Sequence, residues 1–108
     1  MEEIIIFHEI KHLKSIFKFQ PNLIVEYNQF RGINGSMNHS FFCKELNERC
    51  YGMSYEGVYE EFGNTIKRIY DGFCPESDRK IMEVLYKRQR LLKQITKKPY
   101  RKKVKNNG

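Results

Sequence analysis

Tryptophan is absent, cysteine and proline occur only three times each, and no apolar run is longer than the four residues Ile4 to Phe7. A membrane-spanning helix needs about 20 apolar residues in succession, so none is expected. Glu2 and Glu3 ahead of the short run are the wrong flank for a secretory signal. Cys43, Cys50 and Cys74 are an odd set in a chain with no export signal, so a disulfide framework is not expected and the thiols are read as reduced, in the cytoplasm. No glycine-rich loop of the kind that cradles phosphate or dinucleotide is present. The most telling scarcity is of acid near the end: among the last thirty residues only Glu83 carries a carboxylate.

What is present divides the chain in two. Residues 1 to 78 hold eight Lys/Arg against twelve Asp/Glu, a net −4, whereas residues 79 to 108 hold twelve against one, a net +11. Eight Phe and seven Tyr supply enough core-forming side chains for a folded body, and 108 residues suit a single domain. A mildly acidic body with a concentrated basic end is the footprint of a protein that docks on a polyanion through one element.

Periodicity sets the expected fold. Ile6, Ile10, Leu13 and Phe17 recur at spacings of four, three and four, with Lys11, Lys14 and Lys18 on the other side, which fits an amphipathic helix bounded by Pro21. A strand over Glu3 to Phe7 passing into a helix is the rival reading, because isoleucine is β-branched. Leu23 to Arg31 and Ser36 to Lys44 flank Asn34-Gly35, a strong hairpin signal. A two-residue turn there sets Tyr27 opposite Phe42 and Glu26 opposite Cys43. Beyond a loop over Leu46 to Met53, Ser54 caps a helix whose stripe is Tyr55, Val58, Phe62, Ile66 and Ile69, continued by Phe73. Asp71, Gly72 and Pro75 stop it, and Ser77 with Asp78 starts another. In that last helix Ile81, Val84, Leu85, Leu91, Leu92 and Ile95 lie on one side and Arg79, Lys80, Lys87, Arg90, Lys93, Lys97 and Lys98 on the other, until Pro99 ends it. Arg88 falls on the apolar side, where a carboxylate such as Glu60 or Glu61 is expected to meet it.

The expected fold is thus α+β. It has an N-terminal helix or strand then helix, a central antiparallel β-hairpin, two C-terminal helices, a single domain over residues 1–98 and a basic extended tail over 99–108.

Three constellations bear on chemistry. His8-Glu9-Ile10-Lys11-His12 spells the zinc-hydrolase pattern, in which two histidines one helical turn apart hold metal and the glutamate activates water. The same residues also suit the solvent side of an amphipathic helix, and no scaffold or third ligand supports them. His39, Cys43, Cys50 and Cys74 have the donor types of a structural zinc site but lack the short paired spacing of one. Neither pattern makes an enzyme, metal or cofactor the expectation. The basic end differs, because Lys and Arg clustered on a helix and tail release counterions from phosphate and so bind polyanions. Lys87, Arg90, Lys93, Lys97, Lys98, Tyr100, Arg101, Lys102, Lys103 and Lys105 form the expected nucleic-acid-binding set, with arginine forks on phosphate and Tyr100 stacking on a base.

RNA is the expected polyanion, ribosomal RNA in a ribonucleoprotein with ribosomal proteins as neighbours, since basic tails on small bodies suit such particles. No membrane or small-molecule partner is expected. The alternatives are a viral or phage inhibitor of a nucleic-acid machine, acting on DNA or protein, and the zinc hydrolase.

Overall fold

The computed structural model describes residues 2–72 and 79–100, the last four of them by their backbone. It is an α+β fold in which β1 (Glu2–His12), β2 (Ser15–Arg31), β3 (Met37–Cys43) and β4 (Glu48–Gly52) form an antiparallel meander. Two helices follow, α1 (Tyr55–Asp71) and α2 (Arg79–Ile95), and then β5 (Thr96–Tyr100) returns to pair with β2.

The expected N-terminal helix is replaced by a hairpin. Strand alternation decides the matter: Phe17 and Phe19, then Leu23, Val25 and Tyr27, turn one face of β2 into the core, and Phe7 and Ile10 of β1 join them. Only two of the four residues that marked the supposed helical stripe are buried, since Ile6 is exposed and Leu13 occupies the two-residue turn with φ 54°. The spacing that imitated a helix comes from this turn together with a break in pairing, where Phe7 faces Leu23 but Glu9 faces Lys18. Pro21 lies inside that break, in a cis Gln20–Pro21 peptide, and does not end the element. A residue with no N–H to give is tolerated in a strand at such an irregularity.

The Asn-Gly signal located the second hairpin but misjudged its register by one. Tyr27 faces Phe41, and Glu26 faces Phe42. Gly32 N–H donates to the Ser36 carbonyl at 2.8 Å and Gly35 N–H to the Gly32 carbonyl at 2.9 Å, so the loop has three residues, Ile33 to Gly35. Gly35 is left-handed at φ 81°, the usual end of a three-residue hairpin loop. The shift carries Phe41 and Cys43 into the core and leaves Phe42 half-buried on the far face. The stretch expected as a loop contains β4, whose Cys50 faces Phe41.

Helix α1 follows its sequence closely. The Ser54 hydroxyl accepts from Gly57 N–H at 3.0 Å, and Gly72 ends the helix in a left-handed conformation with its N–H directed to the carbonyls of Arg68 and Ile69. Val58, Phe62, Ile66 and Ile69 are buried against the sheet, with the Phe62 ring 5.7 Å from Phe41 and 6.2 Å from Phe7. A Cβ at Gly52 would come within 2.5 Å of the Val58 nitrogen, so the absence of a side chain lets the start of α1 close over the end of β4.

Candidate nucleic-acid interface

Helix α2 is built from strong helix formers, Leu, Lys, Arg, Gln, Glu and Met, with no glycine or proline inside. Only Leu92 is buried; Leu91 and Ile95 pack against the core from partly exposed positions. The Gln89 side chain donates to the Tyr70 carbonyl at 3.1 Å, which fixes the C-terminal half of α2 to α1. Arg88 takes its carboxylate from Glu48 on β4, not from Glu60 or Glu61. Glu48 begins β4, inside the stretch expected as a loop. Thr96 ends the helix by donating its hydroxyl to the Leu92 carbonyl, three residues before the expected terminator Pro99.

The outward side of α2 carries Arg79, Lys87, Arg90 and Lys93, all exposed. The four ion pairs among the described residues are His8–Glu9, Lys67–Asp71, Arg68–Glu61 and Arg88–Glu48, and Lys87 and Arg90 enter none of them. Lys93 rests its ammonium 5.3 Å from the centre of the Tyr70 ring, a contact that leaves the charge uncompensated. Tyr86, 44% exposed, precedes Arg90 by four residues and Lys93 by seven, so an aromatic ring sits within the cationic stripe. Tyr86 escaped the sequence reading; its helical spacing to Arg90 and Lys93 is the signal that finds it.

The backbone of β5 then carries Lys97, Lys98 and Tyr100 away from α2 and along the sheet. Lys97 lies opposite Lys18 and Tyr100 opposite Ile16. Lys18 therefore joins the basic surface, although its spacing with Lys11 and Lys14 had suggested only the polar side of a helix. Arg101, Lys102, Lys103 and Lys105 lie outside the described residues, as do Phe73, Cys74 and the Ser77-Asp78 helix start.

Among the described residues the two metal-like patterns are not assembled. His8 and His12 lie on a strand, where four residues span roughly 13 Å, not on a helix where one turn would bring them together. His39 and Cys43 are separated by the same four residues of β3. The His39 ring is held by the Tyr27 hydroxyl, 2.6 Å from its Nδ1, and stacks on the Tyr27 ring. Burial pushes the Cys43 thiol up to about 11 and raises the Cys50 thiol too, with the Thr65 hydroxyl 3.4 Å from its sulfur. Both side chains fill the core as small protonated hydrophobes. Among the described residues no three His, Cys, Asp or Glu side chains gather as a metal site, and no helix is long and apolar enough to cross a membrane.

Comparison with protein-family models, with curated proteins and with solved structures finds no match.

Proposed function

We propose that the protein binds RNA through the cationic side of α2 and the basic chain that follows it, as a ribosome-associated or ribosomal component that acts by occupancy and not by catalysis. The observation that carries this reading is the uncompensated charge of α2: Lys87 and Arg90 are exposed and outside every ion pair of the described residues. Lys and Arg so placed contact phosphate, and the exposed Tyr86, one helical turn before Arg90, offers a face on which an unpaired base stacks. The concentration of twelve Lys/Arg against one acid in residues 79 to 108 supplies the long-range attraction.

The test is a salt series on Lys87→Ala/Arg90→Ala, measured by fluorescence anisotropy with single-stranded RNA. Each lost phosphate contact lowers the slope of log affinity against log salt by about 0.7, so the double variant is expected to lose about 1.4. Both side chains are exposed, and the substitutions leave the pairing of β5 with β2 in place, which a tail deletion would disturb. Wild-type affinity and slope in the double variant refute the reading. Co-sedimentation of the protein with ribosomes in low salt tests the particle.

A second reading, an inhibitor that blocks a nucleic-acid machine by binding protein, draws on Val84, 48% exposed on the apolar side of α2. Recovery of a stoichiometric protein partner after nuclease treatment, with no ribosomal protein among the products, favours it.

A further inference from the structure

The two outer strands of the meander are protected very differently. Among the described residues β4 is paired only with β3, but it is five residues long and its end lies beneath the first turn of α1. Strand β1 has eleven residues, paired on one side with β2. An open edge of this length is a template for further strand pairing, and native proteins blunt such edges. The far half of β1 is blunted: Lys11 N–H donates to the Tyr59 hydroxyl at 3.1 Å, so a side chain from α1 takes the place of a neighbouring strand. The near half, Glu2 to Phe7, has no such cover among the described residues. On its outer face Ile4 is 59% exposed and Ile6 60%, beside Ile24 at 48% on β2.

We propose that two copies of this chain pair antiparallel through residues 2 to 8 of β1, joining their sheets edge to edge. The sequence of the strand selects the register. With Ile5 opposite Ile5 of the second copy, Ile4 falls opposite Ile6 on the same face, and Glu2 falls opposite His8. Since Ile6 already pairs with Ile24, each half of the dimer gains an apolar row of Ile24, Ile6 and the other copy's Ile4. A one-residue slip would set inward against outward side chains, which strand alternation forbids. Parallel pairing would set Glu2 beside Glu2 and Glu3 beside Glu3, whereas the antiparallel register keeps these acids at opposite ends. Tyr59 fixes the limit of the contact: the second strand reaches its own Glu2 opposite His8, just short of Lys11 where the hydroxyl closes the edge. The charge of β5 does not oppose the contact, because β5 runs along Ile16 to Phe19, the far end of β2 from the Leu23 to Asn28 segment that pairs with Glu2 to Phe7.

Sedimentation equilibrium of the nuclease-treated full chain tests this. The expected species at high micromolar concentration has twice the 13.1 kDa chain mass. The double variant Ile4→Lys/Ile6→Lys alters exposed positions, so it is expected to keep the wild-type far-UV circular dichroism, and the wild-type melting temperature at concentrations low enough for both to be monomeric, while its dimer weakens at least tenfold. A second measurement fixes the register. Ile4→Cys mixed with Ile6→Cys, oxidised by copper phenanthroline, is expected to give a disulfide-linked dimer, and Ile4→Cys alone is not. A monomer at every concentration overturns the proposal, as does a dimer indifferent to Ile4→Lys/Ile6→Lys or cross-linking equally in all mixtures.

Discussion

Helices α1 and α2 each have seventeen residues, and each is amphipathic, yet α1 buries Val58, Phe62, Gly63, Thr65, Ile66 and Ile69 while α2 buries Leu92 alone. Their cations differ in the same way. Lys67 and Arg68 of α1 are matched to Asp71 and Glu61, whereas Lys87 and Arg90 of α2 enter no ion pair of the described residues. An apolar stripe in a sequence thus states what a helix is able to bury, and the elements it is packed against decide what it does bury. Helix α1 crosses strands β1, β3 and β4, and α2 touches the fold chiefly through its C-terminal half, at Tyr70 and beside β5. One helix belongs to stability; the other has side chains to spare for a partner.

The largest effect that separates the helices is expected at Phe62, which lies between Phe7 and Phe41 with no exposure. Phe62→Ala removes a buried ring and leaves a cavity, and is expected to cost about 3 to 5 kcal/mol in urea unfolding. Under the proposed function, RNA affinity of the remaining folded fraction is expected to be unchanged. A loss under 1 kcal/mol would place the weight of the fold elsewhere and erase the contrast with α2.

A smaller effect is expected where α2 meets the sheet. Arg88 and Glu48 are about four-fifths buried, so Glu48→Gln leaves a guanidinium with a weaker acceptor and is expected to cost about 1 to 2 kcal/mol. Arg88→Met, which removes the buried charge as well, is expected to recover part of that loss. Equal losses in the two variants would mean that the pair acts through packing and not through charge.

The contrast also explains what could be read from the chain. Helix α1 was legible to its ends, because Ser54, the Val58 to Ile69 stripe and Gly72 are local signals that the sheet reinforces. The hairpin at Asn34-Gly35 was legible in place but not in register, since the extra loop residue depends on the Gly32–Ser36 hydrogen bond and not on composition. The β1–β2 hairpin was illegible. A break opposite His8 and a turn at Leu13 shift the alternation of Ile6, Ile10 and Phe17 into a helical spacing, and neither break nor turn carries a glycine to announce it. Among the candidate site residues, Lys87, Arg90 and Lys93 follow from charge and period alone. Lys18 required the pairing of β5 with β2, a contact between residues about eighty positions apart.

The smallest effect is expected at Val84, and it bears most directly on what separates the helices. A valine in the stripe of α1, such as Val58, is inaccessible to solvent, whereas Val84 in the corresponding stripe of α2 is 48% exposed. Val84→Lys therefore exchanges a half-exposed methyl pair for a side chain that reaches water, and the unfolding free energy is expected to stay within about 0.5 kcal/mol of wild type. The same variant adds a cation to the apolar side of α2, so under the proposed RNA binding a modest gain in affinity at low salt is expected from the added net charge, fading as salt rises. A loss of stability as large as that expected for Phe62→Ala would show that the apolar side of α2 is covered within the fold, and the exposed-helix account of the interface would have to be abandoned.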